Sequence, residues 1–266
     1  MRADVYIHTS GNAKSRQAAK SFIENGNVLI DGKKVTKPSF EIDETVDHEI
    51  LIVDKPRFVS RGGEKLEGAI LAFNLDVSGK ACIDIGASTG GFTDCLLSHG
   101  AKCVYAVDSG HSQLDPSIAD DKRVTSIEKF NARYMTSSDF PHKFDIAVMD
   151  VSFISQTLLH RAIEDILEEN GYLVSLIKPQ FECGKSALNS KGIVKKDADR
   201  LLAIHRVMDS ATISGFSCID IIKSPIEGGD GNVEFLMLLQ KSKEANNNIT
   251  DAKVKSLINQ KKQPIL

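Results

Sequence analysis

The sequence predicts an α/β protein: a doubly wound, mostly parallel sheet with helices on both faces, preceded by a small α+β domain. Three observations predict it. From Lys80 onward, β-like runs (ACIDIGA, CVYAVD, VTSIE, FDIAVMD, GYLVSLIKP) alternate with helix-length segments, the pattern of parallel strands joined by crossover helices. Residues 82–108, CIDIGASTGGFTDCLLSHGAKCVYAVD, read as strand, glycine-rich turn, helix and second strand ending in Asp108. Residues 15–43 read differently, as one helix followed by a small hairpin, and so belong to a separate unit.

In that first unit Ser15 is placed to cap a helix in which Ala18, Ala19, Phe22 and Ile23 recur at helical spacing, and Gly26 ends it. NVLIDGKKV then alternates through Asp31-Gly32, the strongest short hairpin signal. Pro56 and Gly62-Gly63 bracket a connector, after which EKLEGAILAFNL is amphipathic. The βα alternation follows, and CIDIIKSPIEGGDGNVEFLMLLQK reads as two strands around a glycine-rich loop, an antiparallel pair closing the sheet. The expected organisation is a domain at 1–56, a linker at 57–63, a main domain at 64–241 and a polar tail at 242–266. The Asn- and Lys-rich tail, ending in a weak helix and KKQPIL, is expected to be poorly ordered.

Hydrophobic residues make up 41% and charged residues 26% of the chain, ordinary for a globular protein. No apolar run approaches the roughly 20 residues of a spanning helix. MRADVYIHTSGNAKSR lacks the apolar core of a secretory signal, so a cytoplasmic, membrane-free protein is expected. Five scattered cysteines without C-x-x-C argue for reduced thiols, and the seven histidines show no metal-ligand spacing; no metal is expected. Residues 1–37 hold seven basic side chains against three acidic ones, whereas 38–54 hold six acids and no Lys or Arg. A local basic face suits phosphates, although charge alone reads equally as a solvated helix face.

The glycine-rich turn DIGASTGG is not G-x-G-x-x-G, because Ser88 stands at the second glycine. A pyrophosphate needs the backbone to come close at that point, which argues against a dinucleotide. Asp84, Gly86, Ala87, Ser88, Gly90 and Gly91 better suit S-adenosylmethionine, with an ammonium for a carboxylate and a carboxylate for N–H groups at a helix start. Asp108 is placed for the ribose hydroxyls and Asn131 for the adenine edge. On spacing alone a dinucleotide, or a tight turn holding no ligand, stays open.

The fourth strand ends in DIAVMDVSFIS and lacks the Asn/Asp-Pro-Pro-aromatic motif that clamps an exocyclic base nitrogen. Asp150 ends that strand, Lys178 ends the fifth, Lys65 precedes the first strand and Glu234 begins the last. Asp150 and Lys178 thereby face the carboxyl-end crevice, where open α/β sheets bind ligands.

Two resemblances follow from these residues. Ser15, Arg16, Ala18, Ile23, Gly26, Val28, Asp31, Gly32, Val35, Lys37 and Pro38 resemble the pattern of the S4 RNA-binding domain. That implies an RNA-facing surface carrying Arg2, Lys14, Arg16, Lys20, Lys33 and Lys34, which would recognise folded RNA by phosphate contact and shape. Lys65, Asp150, Lys178 and Glu234 follow the order of the Lys-Asp-Lys-Glu tetrad of FtsJ-like ribose 2′-O-methyltransferases, which residues 58–240 resemble. With SRGGEKL, DIGASTGGFTDCLL, YAVD, DVSFIS, LIKPQFE and SPIEGGDGNVEFL, the chain as a whole resembles the haemolysin A (TlyA) family of ribosomal RNA methyltransferases. SGHSQLDPSI after Asp108 is more polar than the family pattern, and RFVS stands at the connector. The resemblance implies a Rossmann-like, seven-stranded methyltransferase sheet with an antiparallel last strand. It implies S-adenosylmethionine as cofactor, with Asp150 also near it, and a ribose of 16S rRNA, 23S rRNA or both as substrate. Ribosomal RNA or ribosomal subunits, and not DNA, are the expected partners, and a monomer is the expected state. Lys178 would steer and partly deprotonate the 2′-hydroxyl, Lys65 would act as a second cation lowering the Lys178 pKa, and Asp150 and Glu234 would orient the ammonium groups. Two rival classes remain: a membrane-active haemolysin, for which no aromatic-anchored basic amphipathic stretch is present, and an inert RNA-binding assembly factor.

Overall fold

The computed structural model describes residues 1–13, 16–24, 26–53, 57–228 and 231–260, with Ser21 described by its backbone alone. Lys14, the Ser15 cap, Pro56 and the terminal KKQPIL lie outside the described residues. The chain divides into two compact units, 1–57 and 58–266.

The first unit contains α1 (Ala3–Thr9), α2 (Arg16–Glu24) and a three-stranded antiparallel sheet of β1 (Val28–Ile30), β2 (Lys33–Val35) and β3 (Ile50–Ile52), in the order β2-β1-β3. Asp31 and Gly32 both take positive φ, 51° and 74°, the two-residue hairpin geometry whose twist matches the strands it joins. Ala3, Ile7, Ala19, Ile23, Val28 and Val35 close a small core. The sequence expectation of one helix and a hairpin missed α1 and β3. Both are short, and β3 emerges from an acid-rich stretch whose polarity hides its two inward-facing isoleucines.

The second unit is built on a seven-stranded sheet: β4 (Ala81–Ile85), β5 (Cys103–Val107), β6 (Val124–Ile127), β7 (Phe144–Met149), β8 (Leu167–Ile177), β9 (Phe216–Lys223) and β10 (Phe235–Lys241). Its order is β6-β5-β4-β7-β8-β10-β9, and only β10 runs antiparallel, inserted between β8 and β9. This is the expected doubly wound sheet with an antiparallel last strand. Apolar clusters cover both faces, one around Phe144, Met149, Ile163 and Phe216 and the other around Leu66, Ile70, Leu96 and Val148. Such two-sided burial is why these strands read as continuous apolar runs. The chain order reverses between β4 and β7, and that switch point opens a crevice at their carboxyl ends.

Two helices border the crevice, α3 (Arg61–Phe73) and α4 (Gly91–Ser98), and the single turn α5 (Pro116–Ala119) follows β5. The expected linker at 57–63 is largely part of this unit. It begins at Phe58, and Gly62 and Gly63 lie in the first turn of α3. A Cβ on Gly63 would sit 2.3 Å from the Phe58 ring, and one on Gly91 would sit 2.1 Å from Ser60 Oγ. These glycines serve close packing within the second unit.

The expectation of a poorly ordered tail is corrected for residues 242–260, where the weak helix read from the sequence is α9. The helix α6 (His160–Ile166) is followed along the chain by α7 (Pro179–Glu182), α8 (Asp197–Ile213) and finally α9 (Asp251–Asn259). Asn247 bridges Cys218 beside β9, Thr250 caps α9 through Lys253 N, and Ile249, Val254 and Leu257 are buried in the main core. Three well-spaced apolar residues outweigh the polar average of this stretch.

Candidate active site

Local chemistry shapes the crevice floor. After β4 the chain turns through Gly86 (φ 85°), Ser88 (φ 47°) and Gly90 (φ 91°), which caps α4. A Cβ on Gly86 would lie 2.6 Å from the Asp150 carbonyl, so only glycine lets this turn pass the end of β7. Asp108, at the end of β5, holds the turn: Ser88 N donates to Oδ2 at 2.8 Å and Gly110 N to Oδ1 at 2.6 Å. Each oxygen keeps a lone pair for a ligand hydroxyl.

Two cavities meet on this floor and share Gly86, Ser88, Asp150 and Ser152. The larger, about 400 Å³, is lined also by Asp108, Asn131 and Phe153. The smaller, about 260 Å³, is lined also by Lys65, Ala87, Gly91 and Lys178. Asn131 Oδ1 accepts from Arg133 N at 3.1 Å, which leaves its amide nitrogen for a ligand edge. Asp84, Gly90 and Glu234 lie outside both linings.

Asp84 is fully buried beneath the turn. Its Oδ2 accepts from Thr93 Oγ1 at 2.7 Å, whereas Oδ1 has no partner. Burial pushes its carboxyl up to about 7; the Thr93 hydrogen bond opposes this and the nearby Asp150 charge adds to it. A buried acceptor left without a donor costs stability.

The tetrad residues come together as two ion pairs. Lys178, following β8, lies 2.6 Å from Asp150 Oδ1 at an angle outside hydrogen-bond geometry, and its Nζ donates to Ser152 Oγ at 2.8 Å. On α3, Lys65 Nζ donates to Glu234 Oε2 at 2.6 Å, with side-chain exposures of 9% and 2%. This arrangement changes one expectation. Lys65 meets its own carboxylate, so it is not a bare second cation acting on Lys178, and Glu234 lies behind it, away from the cavities.

In the first unit, the buried carboxylate of Asp4 gathers two of the expected RNA-facing residues. Arg2 Nε lies 2.9 Å from Oδ1 and Arg16 Nε 2.7 Å from Oδ2, while both arginines stay about half exposed. The Arg2 hydrogen bond, backed by Arg16 and opposed by burial, brings the Asp4 carboxyl down to about 2. Lys20 pairs loosely with Glu24 at 3.7 Å, and Lys33 and Lys34 are exposed on β2.

Three features escaped the sequence reading. Ser152 touches Lys178, Phe153 is 93% exposed at the cavity rim with φ at 63°, and Glu182 is buried behind them. DVSFIS drew notice as a motif, but a positive φ at phenylalanine and a buried glutamate leave no local signature. Among the described residues no group of His, Cys, Asp and Glu forms a metal site, and no helix is long and apolar enough to cross a membrane.

The residues present fit S-adenosylmethionine. The turn presents backbone N–H groups at a helix start, and Asp108 has acceptor capacity to spare. Asp84, expected to meet an ammonium directly, is instead sealed beneath the turn and outside both cavities, so it acts by supporting the turn.

Comparison with known proteins agrees with this geometry. Residues 58–241 match the model of the FtsJ-like methyltransferases, and residues 1–47 match the S4 domain. Hemolysin A of Brachyspira hyodysenteriae is 43% identical over 89% of this chain and 98% of its own length. The 16S/23S rRNA (cytidine-2'-O)-methyltransferase TlyA of Mycobacterium tuberculosis is 37% identical over 90% of this chain and 89% of its own. A solved structure from Streptococcus thermophilus that carries a hemolysin name superposes with a TM-score of 0.78, at 40% identity, over 97% of this chain and 94% of its own. The chain belongs to the FtsJ-like methyltransferase family and carries an S4 domain at its N-terminus.

Proposed function

We propose that this protein transfers a methyl group from S-adenosylmethionine to a ribose 2′-hydroxyl of ribosomal RNA. The observation that carries the reading is the pair of lysine–carboxylate contacts, Lys178 with Asp150 and Lys65 with Glu234, beside one cavity at the carboxyl end of the sheet. The rRNA 2′-O-methyltransferase name of a relative that aligns over most of the chain supports the substrate class.

Asp108, Asn131 and the turn Gly86–Gly91 would hold the cofactor, with Asp84 supporting that turn from beneath, and the cofactor would supply an electrophilic methyl on a sulfonium. Lys178, lining the smaller cavity, would orient the 2′-hydroxyl. The Lys178 ammonium, held by Asp150 and Ser152 at 2.6 and 2.8 Å, would steer the hydroxyl oxygen, and the hydroxyl proton would leave through Lys178, which hands one of its own to the Asp150 carboxylate. Lys65, fixed by Glu234, sets positive potential at the cavity edge where negative charge develops on the oxygen. Proton handling of this kind contributes roughly 10²–10⁴-fold, and alignment of oxygen with methyl supplies much of the rest. Phe153, exposed at the rim, offers a face for a nucleobase next to the reacting ribose. The S4 unit supplies affinity through Arg2, Arg16, Lys20, Lys33 and Lys34, with Lys14 beside them in sequence.

The test is transfer of tritiated methyl onto intact ribosomal subunits, free rRNA and protein, followed by nucleoside analysis. The expected product carries the added mass on the sugar. Lys178→Ala is expected to abolish turnover and keep cofactor affinity, and Lys178→Arg to rescue little, because a guanidinium stays charged. A base-methylated product, or full activity in Lys178→Ala, overturns the proposal.

A further inference from the structure

The loop that follows β7, residues 150–155, carries Asp150, Ser152 and the exposed Phe153, is irregular in structure and runs into a 3-10 turn at Gln156–Leu158. It is held at both ends by a single turn of helix. Lys178, the residue before α7, reaches its front through Asp150 and Ser152. Glu182, at the last position of α7, reaches its back: Oε2 accepts from Ser155 Oγ at 2.5 Å and Oε1 from Gln156 N at 2.9 Å. Lys178 and Glu182 stand four residues apart, so the same turn presents both.

The back of the loop is tied elsewhere too. Gln156 is buried, and its Oε1 accepts from Ser175 Oγ on β8. The carbonyl of Glu182 accepts from Arg206 Nη1 on α8 at 3.0 Å, which fixes the end of α7. Between the two grips Phe153 is driven to a φ of 63° and tilts over Phe181 with ring centres 5.3 Å apart. Phenylalanine keeps a left-handed conformation only where its surroundings impose it, and the ties at Ser152 and Ser155 bound the strained residue on either side.

We propose that Glu182 is a positioning residue of the methyl-transfer site: by holding Ser155 and Gln156 it sets the loop on which Lys178 finds Asp150 and Ser152 and from which Phe153 projects. It touches neither cavity and acts through the loop. This rests on the methyltransferase reading above. The role needs acceptors and not a charge. An amide at this position can still accept from Gln156 N. Ser155 can then turn its proton to Thr157 Oγ1, 2.7 Å away, and accept from the amide.

Glu182→Ala and Glu182→Gln test this in the full chain, assayed with the RNA on which the wild type is active. Glu182→Ala should lower kcat about 10- to 100-fold, the scale of a displacement near 1 Å at a reacting group. The Kd for S-adenosylmethionine and the KM for RNA should stay within about 3-fold. Glu182→Gln should recover kcat to within about 3-fold of wild type. A second readout needs no turnover. The chain has no tryptophan, so Phe153→Trp places a lone reporter on the loop. Its emission and acrylamide quenching should change when Glu182→Ala is added and stay the same when Glu182→Gln is added.

A folded Glu182→Ala protein with wild-type kcat, an unchanged reporter, or a glutamine variant as impaired as the alanine one overturns the proposal. Should Glu182→Ala fail to fold, Ser155→Ala removes one of the same bonds and carries the test. Wild-type kcat and an unmoved reporter in that variant overturn it equally. A wild type inactive on every RNA refutes the functional reading instead, and the reporter arm still decides the role of Glu182 in the loop.

Discussion

Breaking the buried Lys65–Glu234 pair should cost stability on a scale that separates it from a surface contact. The two side chains are 9% and 2% exposed and 2.6 Å apart. Glu234→Ala therefore strands an ammonium in a site that water hardly reaches. Removing one partner of such a pair costs about 3–5 kcal/mol, because the remaining charge keeps its desolvation penalty and loses its compensation. With about 2–4 °C of melting temperature per kcal/mol for a domain of this size, the midpoint should fall by roughly 6–20 °C. The assay is thermal denaturation followed by circular dichroism, at low and high salt. Salt should change the loss little, since a buried pair is poorly screened. Replacing both partners, Lys65→Met with Glu234→Leu, should recover most of the midpoint while turnover stays lost. That result would assign the pair to chemistry and not to stability. A Glu234→Ala protein melting within about 2 °C of wild type would show that solvent reaches Lys65, and the buried-pair reasoning would fail.

Asp108→Ala removes the acceptor for Ser88 N and Gly110 N and should weaken S-adenosylmethionine binding by about 1–3 kcal/mol in calorimetry; unchanged affinity would remove Asp108 from the site. Asp84, with its carboxyl raised to about 7, gives the ligand-free fold a proton that the unfolded chain releases near pH 4. Its contribution is fully present below pH 4 and is lost as pH rises through 7, so Asp84→Asn should flatten the fall in midpoint between pH 5 and 8, and an unaltered slope would refute the assignment. Asp4, held down to about 2 by Arg2 and Arg16, acts with the opposite sign: its contribution is present above pH 4 and lost towards pH 2, visible as acid unfolding that Asp4→Asn abolishes. Reversing Arg16 and Lys20 to Glu should weaken RNA binding and flatten its dependence on salt while cofactor affinity holds, since each lost phosphate contact releases fewer counterions; equal affinity with an equal salt slope would exclude that face.

How far the sequence could be read follows from the range of the forces involved. The parallel sheet and the glycine-rich turn were legible because strand alternation and turn chemistry are set within a few residues: DIGASTGG could hardly be anything but a tight turn into a helix. The order of Lys65, Asp150, Lys178 and Glu234 was legible too, but their pairing was not. Lys65 and Glu234 stand 169 positions apart, and only the insertion of β10 between β8 and β9 brings Glu234 beneath α3. A weak helix was legible in the tail, but its docking was not, because mean polarity concealed Ile249, Val254 and Leu257, the three side chains that bury α9 against the core. Gly62-Gly63 was misread because a glycine pair signals freedom locally, whereas Phe58 and Ser60 use the missing Cβ atoms for contact.

The same reasoning explains why Lys178 alone does not define the candidate site. Lys178 would be one of 33 Lys and Arg residues were it not at the end of β8, beside the strand that delivers Asp150. The sheet fixes those two backbones in register, Met149 opposite Ser175. It does not fix the loop beyond Asp150, where Ser152 and Phe153 lie, and no regular hydrogen-bond ladder reaches them. The fold leaves that task to side chains on the α7 turn, which hold the loop at Ser152 and Ser155 at once. A methyl acceptor aligned by such a loop depends on the second grip as much as on the first, and residues of this kind, remote from the reacting atoms and silent in sequence, are where substitutions should alter turnover without altering affinity.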